Sequence, residues 1–164
     1  MAKFKPMPPL AELQAAFDYD PETGLFRHQK TRYSVRQGDV AGTYNKPGYL
    51  VLTLRPQRMY GQRVAWYMGT GEDPLQHNVD HIDRDPSNNC LSNLRLCNQS
   101  QNVGNAFHRG YYYRKDRGYY VARLYHQGGV IRLGNFLKVE DAEKAYREKA
   151  VELRGEFAPQ EWVL

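Results

Sequence analysis

Apolar positions recur at helical spacing near both ends of the chain and at strand spacing between them. Leu10, Leu13, Ala16 and Phe17 predict a helix. The turn Asp20-Pro21-Glu22-Thr23-Gly24 and a short strand over residues 25–29 follow. Residues 38–44 and 48–54 read as strands joined through Asn45-Lys46-Pro47-Gly48, and residues 63–68 as a short helix closed by Gly69-Thr70-Gly71. Toward the end, Val139, Ala142, Tyr146, Ala150 and Leu153 recur in steps of three and four, with Glu140 and Asp141 at the helix start and Gly155 as its stop. Before that helix, residues 110–115, 118–126 and 130–136 read as three strands separated by Asp116-Arg117-Gly118 and Gln127-Gly128-Gly129. A helix with so apolar a face needs a sheet against it, and the three strands supply one. On the middle strand Tyr120, Ala122 and Leu124 form the helix-facing set, leaving Tyr119, Val121, Arg123 and Tyr125 for the open face. The pattern is that of an α+β protein.

Composition narrows the class. At 164 residues, 41% hydrophobic and 25% charged, the chain supports one ordinary domain or two to three very small ones. No apolar run reaches the roughly 18 residues of a membrane span, and the opening MAKFKPMPPLAELQ lacks the apolar stretch of a secretory signal. Cys90 and Cys97 alone make neither a disulfide framework nor a four-cysteine zinc site. A reduced, cytoplasmic protein is expected, without zinc, membrane or obligate protein partner. The net charge of +5 and an aromatic share of 13% are the broad footprint of a nucleic-acid binder. The charge is uneven. Residues 1–57 and 109–164 are basic, residues 58–108 slightly acidic, and 109–137 hold six basic residues against Asp116 alone. Three segments with those boundaries are the expected organisation.

The chemistry concentrates in residues 79–102, VDHIDRDPSNNCLSNLRLCNQSQN. Asp80 and His81 sit side by side on a short apolar strand, and a polar turn leads to Asn93-Leu94-Arg95 and on to Ser100-Gln101-Asn102 at a helix start. Carboxylate and carboxamide oxygens suit Mg²⁺, Mn²⁺ or Ca²⁺, and an imidazole near its reference pKa of about 6.5 is a competent base at neutral pH. Adjacent strand residues point to opposite faces, so joint action of Asp80 and His81 predicts a local bulge or bend. Asp83, Asp85, Ser87 and Asn89 alternate like calcium-loop ligands, but the places that need Gly and Glu hold Asn88 and Leu94.

The same stretch resembles the HNH nuclease motif of phage and intron homing endonucleases, in order across about 24 residues. The resemblance implies a ββα-metal core and one divalent metal, Mg²⁺ foremost and Mn²⁺ next, held by Asp80 and Asn102. It further implies that His81 activates water and that Asn93 orients the loop and the histidine. Two positions depart from the family pattern: Gln62 before Arg63-Val64-Ala65-Trp66, and Cys90 where a basic residue is common. Arg63 is a candidate DNA contact. The implied location for a phage-encoded member is the host cytoplasm.

Residues 109–158 resemble an AP2 (ERF-type) DNA-binding domain through Gly110-Tyr111-Tyr112, Tyr120-Val121-Ala122-Arg123, Ile131–Phe136, Glu143–Tyr146 and Gly155–Ala158. Such a domain lays its three-stranded antiparallel sheet in the DNA major groove. The candidates here are Arg109, Tyr113, Arg114, Lys115, Tyr119, Arg123, Tyr125 and Arg132. Asp20–Phe26 resembles the leader that precedes such nucleases, and Arg27, Lys30, Arg32 and Arg36 are its candidate backbone contacts. The expectation is a site-selective endonuclease on double-stranded DNA, nicking as a monomer, built as an HNH core between an N-terminal strand-rich segment and a C-terminal AP2-like sheet with one helix. The alternative is a sequence-specific DNA-binding regulator with a vestigial nuclease centre. An RNA ligand fits the charge but not a groove-reading sheet.

Overall fold

The computed structural model describes residues 5–98, 101 and 110–158, divided into two compact units after Asn98. In the first unit, α1 (Leu10–Ala16) runs directly into β1 (Phe17–Tyr19), which pairs with β2 (Phe26–His28) across the Asp20–Gly24 turn. A second sheet joins β3 (Thr43–Tyr44), β4 (Leu50–Leu54) and β5 (Gln57–Tyr60) in antiparallel order. Helix α2 (Gly61–Thr70) ends at Gly71, whose left-handed backbone donates its N–H to Tyr67 O. The chain then forms the hairpin β6 (Asn78–His81) and β7 (Leu94–Cys97).

One core serves all these elements except the short edge strand β3, whose residues are exposed. Leu13 of α1, Phe17 and Phe26 of the first hairpin, Leu50, Leu52 and Met59 of the second sheet, Val64 and Ala65 of α2, and Val79 and Leu94 of the β6–β7 hairpin pack into a single cluster. The stretches 1–57 and 58–98 therefore share their hydrophobic interior, and the segment carrying the Asp-His pair is anchored on the elements before it.

The second unit has β8 (Tyr111–Arg114), β9 (Tyr119–His126) and β10 (Gly129–Phe136) in an antiparallel sheet with β9 central. Helix α3 (Val139–Arg154) lies on it, burying Ala142, Tyr146 and Ala150, the last two packed with Leu124. The expected helix-facing set holds at Ala122 and Leu124, both fully buried. Val121, expected on the open face, is also buried, between register partners Tyr112 and Asn135. A register shift between Arg132 and Gly134 makes room for Leu133, which packs against the core.

Gly110 shows how tight this packing is. Its φ is +65°, and a Cβ there would sit 2.0 Å from the ring of buried Tyr146. Gly110→Ala is expected to destabilise the second unit by about 2–4 kcal/mol, adding left-handed backbone strain to overpacking. Faster hydrogen exchange of the β8–β10 amides, with the β4–β5 amides unchanged, is the result that checks it.

Candidate active site and nucleic-acid interface

The β6–β7 hairpin pairs Asp80 with Arg95 and His81 with Leu94 without a register slip, so of the bulge or bend expected there the bulge is absent. His81 is instead the last residue of β6, where pairing ends and the chain turns. The turn is tight: Arg84 has φ +68°, and its N–H donates to His81 O. Asp80 and His81 are both buried, at 9% and 5% exposed. Arg95 donates from Nε and from a terminal nitrogen to Asp80 Oδ2, at 3.1 and 3.0 Å, which compensates a carboxylate that burial alone would penalise.

Asn93 binds the turn together. Its Oδ1 accepts from Asp83 N–H at 3.1 Å, while Nδ2 donates to Asp83 Oδ1 and Asn88 O, each at 2.9 Å. Its carbonyl accepts from Ile82 N–H. Asp83 also accepts from Asn88 Nδ2 and Asp85 N–H, and Asp85 from Ser87. The alternating oxygens that imitate a calcium loop are thus the internal bonds of a rigid turn. Burial pushes the Asp83 carboxyl up, but the hydrogen bonds from Asp85, Asn88 and Asn93 outweigh it and hold the group below the usual carboxylate range.

His81 responds to its surroundings in the opposite sense. Burial pulls its pKa below the ordinary imidazole value, outweighing the Asn89 hydrogen bond and the charges of Asp83, Asp80 and Asp85. The ring lies 3.3 Å from Asn89 Oδ1 through Nε2, and its centroid is 6.0 Å from that of Tyr49. Because the ring protonates only at lower pH, the neutral base persists further into the acid range. The acid limb of kcat/KM is therefore expected to have its midpoint below about 6.5, which a pH–rate profile under subsaturating substrate checks.

Asn89 is the site residue that the sequence did not single out as a partner of His81. It is 1% exposed, the most buried polar residue of the hairpin loop. Asn102, the expected second metal-holding residue, and Arg109 lie outside the described residues. Among the described residues no group of three or more His, Cys, Asp or Glu is placed to hold a metal ion. The donor chemistry nevertheless fits a hard cation that keeps much of its water: a buried carboxylate, followed in the chain by an imidazole whose pKa burial holds below its ordinary value.

The expected DNA contacts divide. Arg63 is only 7% exposed, and its guanidinium donates to His77 O at 2.7 Å and Leu75 O at 2.9 Å. It braces the connection from α2 to β6 rather than presenting itself to a phosphate. Tyr113 pairs with Tyr120 in register, on the face opposite Arg123, with ring centroids 4.9 Å apart. Arg114 and Lys115 flank the β8–β9 turn, where Arg114 is ion-paired with Asp116 at 2.6 Å. On the open face, Arg123 lies over the Tyr112 ring at 5.1 Å and the Tyr125 ring at 5.6 Å. Arg132 stands directly across from Arg123 in register, and Tyr119 shares this face at the sheet end. Tyr112 belongs to the cluster but was not among the expected contacts.

Residues 60–103 match the family model described as HNH endonuclease, from α2 through the β6–β7 hairpin. The centre of the chain thus carries the features of an HNH endonuclease domain, whose substrate class is DNA and whose members typically require a divalent metal. No curated protein and no solved structure matches the chain. No helix among the described residues is long and apolar enough to cross a membrane.

Proposed function

We propose that the protein is a site-selective DNA endonuclease of the homing type, with its hydrolytic centre on the β6–β7 hairpin and a DNA-reading sheet in the second unit. The observation that carries this reading is a buried imidazole next in the chain to a buried carboxylate, within the stretch that matches the nuclease family; burial also holds the imidazole's pKa below its ordinary value. His81 takes the proton from the attacking water. Asp80, with Asn102, would hold one divalent cation that supplies charge stabilisation at the scissile phosphate and the departing 3′ oxygen. Asn93 ties together the turn that follows His81, and so orients the loop and the histidine at its base. Hydrolysis leaves 5′-phosphate and 3′-hydroxyl ends. One such centre cuts one strand per encounter, so a monomer nicks.

The second unit supports the DNA-reading half. Arg123 and Arg132 face one another across the sheet, and like charges placed directly opposite are unfavourable without an anion between or above them. Tyrosine rings on both sides of Arg123 add an aromatic surface. An AP2-like sheet in the major groove uses such residues for base edges and phosphates.

The test is cleavage of supercoiled DNA that contains the gene's own flanking region, with Mg²⁺ or EDTA. Metal-dependent open circle is the expected product. Linear product would place two centres on paired sites. Tight binding without cleavage would leave a DNA-binding regulator with a vestigial centre.

A further inference from the structure

The loop that returns from His81 to β7 does more than close the hairpin. Asn89 is the polar group it buries most deeply, and its two side-chain ends are both engaged. Nδ2 donates to Ser87 O at 3.2 Å, which turns Oδ1 toward His81 Nε2 at 3.3 Å. A carboxamide oxygen can only accept, so the neutral ring carries its proton on Nε2 and its lone pair on Nδ1. The structure assigns Asn89 as the positioning residue that sets the tautomer and ring orientation of His81, leaving Nδ1 as the basic nitrogen of the neutral ring. This deepens the nuclease reading and rests on it for its effect on cleavage.

Asn89 is itself held from outside the nuclease stretch. Tyr19 of β1 donates its hydroxyl to Asn89 O at 2.8 Å. Leu91 N–H donates to Pro21 O at 2.9 Å, and the Cys90 thiol to Glu22 O at 2.9 Å. Gly24, with φ +70°, lets the turn approach so closely that a Cβ would fall 2.5 Å from the Asn89 carbonyl carbon. Three consecutive loop residues are thus clamped by Tyr19 and the turn that follows it. The N-terminal hairpin gains a role: it fixes the depth at which Asn89 meets the histidine.

The experiment combines imidazole nitrogen NMR of the full chain with single-turnover cleavage. Signals of the five histidines are assigned by His81→Gln. Wild-type His81 is expected in the Nε2–H tautomer, whether or not the protein cuts. Asn89→Leu removes the acceptor while keeping the volume. It is expected to release the ring to mixed tautomers and to lower kcat about 100-fold, the low end of a general base's worth, with DNA affinity unchanged. Asn89→Asp restores an acceptor oxygen and is expected to recover the tautomer and most of kcat, which a purely packing role would not do. An Nδ1–H tautomer in the wild type overturns the assignment even if Asn89→Leu does not fold. Retention of both tautomer and kcat in Asn89→Leu overturns it as well. Absence of cleavage in the wild type defeats the nuclease reading, while the tautomer measurement still decides the part played by Asn89.

Discussion

Replacing His81 with alanine is expected to reduce metal-dependent cleavage by about 10²- to 10⁴-fold, the range that a positioned general base supplies, with DNA binding retained. The size of the effect follows from how few substitutes surround the site among the described residues. His77 is exposed and contributes its backbone carbonyl to Arg63, and His28 belongs to β2. The nearby carboxylates Asp83 and Asp85 are held below their usual range by hydrogen bonds, which makes them poorer bases than an imidazole. Because the ring is buried, His81→Gln belongs beside His81→Ala: it fills more of the volume and separates lost chemistry from a cavity. Asp80→Asn is the companion change on the metal side. It keeps the shape beside Arg95, whereas Asp80→Ala removes one partner of a largely buried ion pair, a change worth up to about 3–5 kcal/mol of stability. Nicking rates of the three variants, with folding checked by hydrogen exchange, give the answer. An active His81→Ala removes histidine as the base.

Much of this site was legible because HNH chemistry is written in a short ordered stretch. The partners of that stretch were not. Asn88-Asn89 reads as a turn from its composition, and nothing in the pair says which amide turns inward; the clamp by Tyr19, Pro21 and Glu22 decides it, from about 70 residues earlier in the chain. Arg63 is the converse case. The sequence offers it as a candidate DNA contact, yet its side chain crosses buried ground to reach two carbonyls. The strand β1 was hidden by a coincidence of periods: Phe17 follows Leu13 by four residues, so helix and strand both bury it. β5 buries only Met59 and has too little alternation to announce itself.

In the second unit the helix was legible to its caps, since Ala142, Tyr146 and Ala150 are its buried residues and Gly155 its stop. The sheet faces were harder. Tyr111-Tyr112-Tyr113 offers no contrast between apolar and polar, so the side of each ring depends on pairing with β9. That register puts Tyr112 with Arg123 and sends Tyr113 to Tyr120. The open face consequently centres on Tyr112, Arg123, Tyr125 and Arg132 rather than on the basic run at the β8–β9 turn.

The double variant Arg123→Ala/Arg132→Ala is therefore expected to weaken binding to the target by at least about 30-fold, taking two contacts at the low end of 1–3 kcal/mol each. The two arginines act at the centre of the face, and Arg123 is held between rings that restrict its rotation before DNA arrives. Loss of two positive charges alone would lower affinity somewhat, so the control must match that loss. Lys144→Ala/Arg147→Ala does so on α3, where each cation is paired with a glutamate, Glu148 and Glu143 respectively. Its expected effect is under about 3-fold, as for exposed ion pairs of small worth. Salt titration then separates the kinds of contact. Phosphate contacts by both arginines would reduce the slope of log K against log salt by roughly 2 and weaken all DNA alike. Base-edge contacts would leave more of the slope and erase the preference for the target. In either case single-turnover kcat at saturating DNA should stay near wild type, because the face lies in a unit that contains neither Asp80 nor His81. Equal affinities for the two double variants would take the DNA-reading role away from this sheet.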